Sequence, residues 1–270
     1  MAYKDRQESY ERYARRRINR ALRLQIEPLL NYIDEDNVML IDMYLTRLVS
    51  PEPVARALLD VYVSVMPREA VAIAKEVDRI LPRAKRINGI SFFSEYWKRW
   101  MREAFETIAG TMITAITETT RDHVRQLMSE AREQNLSFRD MAKYITEGIR
   151  SRDFTRARSL TIARTETTRA ANIGQQQMAE TSNIELLKAW NVRVDGRERA
   201  SHRAMSGAEP IARNAPFIVG GYPMQHPGDE SAPAAETVNC RCSMSFRPVL
   251  DADGLPVTRA TGLERDLFTA

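Results

Sequence analysis

Between Ser94 and Asn135 the chain has no proline, and Gly110 is the single glycine. Within that run Trp97, Met101, Phe105, Ile108, Met112, Ile116, His123 and Leu127 recur at intervals of three, four or seven residues. This spacing places them on one face of an α-helix. At 1.5 Å per residue such a helix is on the order of 60 Å long. An apolar stripe of that length has to be covered by other elements, so the run predicts the spine of a helical bundle.

The flanking sequence supplies the covering helices. Tyr10, Tyr13, Ala14, Arg17 and Ala21 share one face of a first helix whose remaining faces are basic, and Pro28 marks its bend or its end. Ser50-Pro51 reads as a helix start, because serine caps free amides and proline suits the first turn. Met66-Pro67 repeats the signal ahead of Val71, Ala74, Val77 and Leu81, with Pro82 as the stop and Asn88-Gly89 as a turn. Ser137 with Asp140 three residues on resembles a capping box, opening a helix to Ile149. A further helix is expected from Thr155 to Thr181. Its stripe of Leu160, Ala163, Thr167, Ala170, Gly174 and Met178 is small enough for another backbone to approach closely.

After Ser182 the texture changes. Trp190, Val192 and Val194 alternate with Asn191 and Arg193, the period of a half-buried strand. Glycine and proline then become frequent, from Gly207 to Gly228, and Val238 to Phe246 reads as a closing strand. The fold class expected is therefore α+β: a predominantly α-helical N-terminal part with long helices over 1–150, then a small mixed domain with loop-rich β segments over 151–248, then an extension over 249–270.

With 270 residues, 43% of them hydrophobic and 28% charged, the chain can bury a substantial core. No apolar run reaches the ~18 residues of a membrane-spanning helix. The polar first twenty residues lack the apolar centre of a signal peptide, so a cytoplasmic start is expected. The net charge of +4 is unevenly placed, with eight basic and three acidic residues in the first 25. Tyr10, Tyr13, Arg15, Arg16, Arg17 and Arg20 form a candidate interaction face on the first helix. It suits an acidic protein surface or the phosphates of double-stranded DNA, and a solvated bundle face has the same composition. Two cysteines, Cys240 and Cys242, are too few for a disulfide scaffold.

Four short motifs follow one another in the second half. The first is Ile162-Ala163-Arg164-Thr165-Glu166-Thr167, with Asn172 and Gly174 on the same helix. The second runs from Trp190 to Asp195-Gly196-Arg197-Glu198-Arg199, His202 and Gly207. The third is Phe217 with Pro227-Gly228-Asp229, and the fourth is Asn239-Cys240-Arg241-Cys242. In this order and spacing, over residues 155–247, they resemble the phage Mu protein F-like, or minor head protein, family. Gln225-His226 departs from the hydrophobic or aromatic residue commoner there. The helical first part carries no motif.

The resemblance implies a minor capsid protein of a tailed double-stranded DNA phage. Such a protein joins the head during assembly in the host cytoplasm and sits inside the head near the portal. Its partners would be the portal protein, the major capsid or scaffolding protein, and packaged DNA contacted non-specifically, aiding DNA retention or ejection. No membrane partner and no catalytic turnover are expected. The alternative is a toxin-like enzyme acting on RNA or nucleotides through the Mu F-like domain.

Chemically, Arg164 and Glu166 lie on different sides of their helix and suit docking it onto the loop-rich half, with Glu166 able to reach Arg169. His202 as a general acid/base would need Asp195 to orient it, together with a nucleophile that the sequence does not nominate. The plainer expectation is that Asp195, Arg197 and His202 tie loops together. Cys240 and Cys242 on a strand would face the same side. With His202, and either Asp195 or His226, they offer four zinc ligands; two buried thiols or a labile disulfide are the alternatives. Otherwise no cofactor is expected. Asn239 is expected to serve the turn before that strand.

Overall fold

The computed structural model describes residues 3–81 and 95–259. It is an α+β fold in which six helices precede the strands. They are α1 (Tyr3–Tyr32), α2 (Ile41–Leu48), α3 (Glu52–Ile80), α4 (Glu95–Glu133), α5 (Phe138–Arg150) and α6 (Arg152–Thr181). Then follow β1 (Leu186–Asn191), α7 (Ala200–Arg203), β2 (Ile211–Ala212), β3 (Phe217–Val219), β4 (Tyr222–Met224), α8 (Ala234–Thr237) and β5 (Ser243–Pro248). The long helix expected from the proline-free run is α4.

The chain forms two compact units that are discontinuous in sequence, rather than meeting at one cut near residue 150. One comprises Met1–Gln7, Tyr62–Arg102 and Arg164–Ala270; the other comprises Glu8–Val61 and Glu103–Ala163. The boundary passes through α1, α3, α4 and α6.

The second of these units is helical. Its core joins Ile26 and Leu29 of α1, Ile41 and Leu45 of α2, Val124, Leu127 and Met128 of α4, and Met141, Ile145 and Ile149 of α5. Ser137 caps α5 as its sequence suggests, its Oγ accepting the Asp140 N–H at 3.2 Å. The Arg121 guanidinium donates to the carbonyls of Thr46 and Val49, covering the open C-terminal end of α2. Buried Gln25 donates to the Ser50 carbonyl and Thr117 and accepts from Thr120, so its amide is satisfied inside the core. His123 stacks on Phe154 with ring centroids 4.0 Å apart.

The first unit holds the sheet, ordered β2-β1-β5 and antiparallel throughout, and the β3-β4 hairpin. Gly220-Gly221 closes that hairpin in two residues of positive φ, which a tight turn of this hand requires. Leu186, Lys188 and Trp190 alternate onto the buried face of β1. The core gathers Ile73 and Val77 of α3, Trp97 of α4, Met178 of α6, Trp190, Phe217 and Met244. Trp97 and Trp100 meet edge to face at 5.4 Å, Trp97 within this core and Trp100 against it.

Several local expectations are corrected. Met66-Pro67 does not start a helix. Pro67 lies inside α3, where close packing of Tyr62, Val65, Met66 and Ala70 carries the helix across the missing N–H. Nor does Pro28 end α1, which continues to Tyr32. Ser50-Pro51 does open a helix, α3, but the first helical bond runs to the Pro51 carbonyl, so the cap position falls on Pro51 rather than Ser50. The first strand lies at 186–191 rather than around Trp190 to Val194, because its buried face is completed by Leu186 and Lys188 while Val194 is solvent-exposed. Asp195 therefore does not end a strand. The closing strand begins at Ser243, so Cys240 and Cys242 lie in the turn before it. After β5 the chain folds back, with Val257 and Arg259 pairing along Asn183 to Glu185. The expected stop at Pro82, the turn at Asn88-Gly89 and the tail from 260 onward lie outside the described residues.

Candidate functional site

Helix α6 has almost no apolar periodicity, and its surroundings explain why: Thr165 through Gln175 are buried without a break. A helix enclosed on all sides is usually apolar. This one is largely polar, so each side chain needs a partner. Glu166 and Arg169 pair at 2.9 Å with both side chains near 5% exposed, and the Tyr62 hydroxyl donates to Glu166 at 2.8 Å. Burial works against the Arg169 charge, but Glu166 beside it more than restores it, and its pKa is raised. Its Nε donates to the Gly228 carbonyl at 2.7 Å. Thr168 donates to the Cys240 carbonyl at 2.8 Å, and Asn172 to the Cys242 carbonyl at 3.2 Å. The Asn239 N–H donates to Thr165, and Gln175 accepts the Met244 N–H.

The motif residues on α6 are thus a rack of hydrogen bonds for the loops that carry the later motifs. Gly174 lies against the α3 backbone so closely that a Cβ there would fall 2.3 Å from the Met66 carbonyl oxygen. The first turns of α1 join the rack. Arg6 grips Glu69 with two bonds of 2.7 and 3.1 Å, Gln175 donates to the same carboxylate, and Gln7 donates to Thr168 while accepting from Arg193. No signal in the sequence singled out Arg6, Gln7, Tyr62 or Glu69, because their partners lie more than 60 residues away.

The loops are stapled in turn. The Asp229 carboxylate accepts the N–H groups of Gln225 and Ser231 and the Ser231 hydroxyl, fixing the turn in which Gly228 has φ +81°. Asn239 has φ +59°, a conformation asparagine tolerates better than most side chains. Arg241 forms a two-pronged pair with Asp195, whose carboxylate also accepts the Arg197 N–H. Arg199 donates to the Val238 carbonyl. Gly207, at φ +76°, turns the chain out of α7. Lys188, on the buried face of β1, donates to the Gln225 carbonyl at 2.7 Å and side chain at 3.0 Å; burial lowers its pKa to about 8.

His202 lies on α7, 2% exposed, with Trp190 edge-on at 5.5 Å. Its Nδ1 stands 3.7 Å from Cys240 Sγ and 3.4 Å from Cys242 Sγ. Its Nε2 faces Glu236 Oε2 at 3.1 Å, and Ser201 donates to that same oxygen at 2.8 Å. The carboxylate facing His202 is therefore Glu236, not Asp195, although the approach lacks hydrogen-bond geometry. Nor do Asp195 and His226 join the cysteines: Asp195 is held by Arg241, and His226 faces the Pro227 carbonyl and Asp229. The hydrogen bond from Cys240, reinforced by His202, holds the Cys242 thiol well below the usual range, while the same contact and burial raise Cys240. A thiolate beside an imidazole is a nucleophile where a substrate can reach it. Here both sulfurs are within a few per cent of complete burial, which favours ligation or packing over turnover.

The family model described as Phage Mu protein F like protein matches residues 108–245. The chain belongs to this family. It is a phage head-morphogenesis protein, a structural component of the virion. No curated protein and no solved structure matches it. The match begins within α4 of this Mu F-like chain and takes in all four motifs.

The helical unit of this family member also carries a basic groove of about 1120 Å³. Arg12, Arg15, Arg16, Arg20 and Arg23 of α1 line it with Arg150 and Arg156 from the α5–α6 junction, and Glu27 is its one carboxylate. A neighbouring groove of about 640 Å³ is partly neutralised: Arg17 pairs with Asp60 at 2.5 Å and Arg56 with Glu52, while Arg16 and Arg20 line it as well. Tyr10 does not belong to an exposed interaction face, being only 9% exposed, and Tyr13 is half-buried under the Arg17 guanidinium. Arg15, Arg16 and Arg20 do meet in the groove. No helix among the described residues is long and apolar enough to cross a membrane.

Proposed function

We propose that this protein is a minor head protein acting at the portal vertex, inside the head, where its basic groove lies along packaged DNA. The groove supports this reading most directly. Seven arginines against one carboxylate, with no ion pair among the described residues, form a concave cationic surface. Arginine at such density binds phosphates mainly by releasing counterions and does not read sequence.

Titration of the full chain onto double-stranded DNA at rising salt tests the contact. With about four phosphates neutralised, the logarithm of affinity falls with log salt at a slope of roughly −3.5. Arg16→Ser, Arg20→Ser and Arg23→Ser together reduce that slope by about two to three units. Absence of binding at low salt would remove DNA from the reading. Attachment at the portal is tested separately, by comparing heads assembled with and without portal protein. The chain is expected only in the former, and equal incorporation into both overturns the placement.

A further inference from the structure

We propose that His202 Nδ1, Cys240 Sγ and Cys242 Sγ hold a zinc-class divalent cation that clamps α7 to the turn before β5. The three ligand atoms lie within 4.8 Å of one another and belong to buried residues. Tetrahedral zinc, with bonds of about 2.0–2.1 Å to nitrogen and 2.3 Å to sulfur, requires N···S separations of about 3.6 Å. The two observed separations are 3.7 and 3.4 Å. Both N···S separations therefore already match two edges of a metal tetrahedron, and the third pair lies within 4.8 Å.

The surroundings favour a ligand role as well. An imidazole that binds metal through one nitrogen usually gives its other N–H to a carboxylate, which fixes the tautomer. Glu236 is the carboxylate on that side of the ring, 3.1 Å from Nε2, near enough to take up such a hydrogen bond with a small rotation, while Nδ1 is turned toward the sulfurs. The carboxylate is itself held, by the Ser201 hydroxyl on one oxygen and by the Gly220 turn against the other, where a Cβ would come within 2.7 Å. The protein supplies three ligands, so the fourth position falls to water.

The test is metal analysis of the full chain purified under reducing conditions, followed by exchange with cobalt(II). About one equivalent of zinc is expected, and the cobalt form should show the intense visible bands of a tetrahedral site with thiolate charge transfer. Cys240→Ser with Cys242→Ser should lose both. Because that variant could misfold, Glu236→Gln provides the second measurement. It leaves all three ligands in place and should weaken zinc binding about 10–100-fold in competition with a chromophoric chelator. The proposal is overturned if the wild-type chain takes up neither metal and its two thiols titrate freely or are found as a disulfide. It is equally overturned if zinc remains in the double serine variant, or if Glu236→Gln binds zinc as tightly as wild type.

Discussion

Glu166 and Arg169 are a buried ion pair in which each charge depends on the other. Removing one partner of such a pair leaves a buried charge uncompensated, which costs about 3–5 kcal/mol. Arg169→Ala should therefore destabilise the protein by that order in urea unfolding, and more than Arg169→Met combined with Glu166→Leu; an equal loss in both variants would refute the pairing account. Lys188 makes a different demand. Its folded pKa, about 8, lies below its ordinary 10.5, so between those values the unfolded chain binds a proton that the folded chain does not. Stability must then rise with pH across that window. The midpoint of thermal unfolding is expected to gain a few degrees from pH 8 to 10.5 relative to Lys188→Met, and parallel profiles would argue against a desolvated amine. Neither arrangement was fully legible in the sequence. The reach of Glu166 to Arg169 follows from helical spacing. That Tyr62 would complete the pair, or that Gln225 would receive a lysine from 37 residues away, is a property of tertiary structure alone.

At the scale of elements, local signals succeeded where the physics is local. Ser137 and Asp140 specified their cap, and Ser137→Ala should cost about 1 kcal/mol, read as a lower urea midpoint with an unchanged slope. The small stripe on α6 correctly implied a close backbone approach, and Gly174 is where it happens. Gly174→Ala has to push α3 and α6 apart and should cost about 2–3 kcal/mol despite the better helix propensity of alanine; a stabilised variant would contradict the packing. Signals failed where packing overrides them. Pro67 is carried through α3 by its buried neighbours. The first strand was misplaced because Lys188, a residue that reads as exposed, occupies an inward position between Leu186 and Trp190.

For the whole molecule, the sequence motifs define less than the folded unit contains. The sheet-bearing unit draws Arg6 and Gln7 from the start of the chain, and Tyr62, Glu69, Ile73, Val77 and Trp97 from its middle. A fragment of residues 151–248 keeps every motif yet exposes Glu166 and the core face of α6. It is expected to give no cooperative thermal transition by circular dichroism, whereas the full chain does; a cooperative melt of the fragment would show that the motif region suffices. The helical unit was legible as helices, with a candidate interaction face on the first of them. Its arginines were visible in sequence, but only the fold separates those lining the open groove from Arg17, which is spent on Asp60.

The enclosure of Thr165–Gln175 by hydrogen-bonding neighbours also bears on how chains of this kind change over generations. An apolar core drifts readily, since one hydrocarbon can replace another at small cost. A core of matched donors and acceptors cannot, because each single exchange orphans the partner, and an acceptable path requires two changes at once. This helix and the loops it holds should therefore diverge slowly, while the leucine- and isoleucine-filled unit beside them in the chain diverges fast. Aligned members of the family should vary less over Thr165–Gln175 than over the apolar helical core, and equal variation in both would refute the idea.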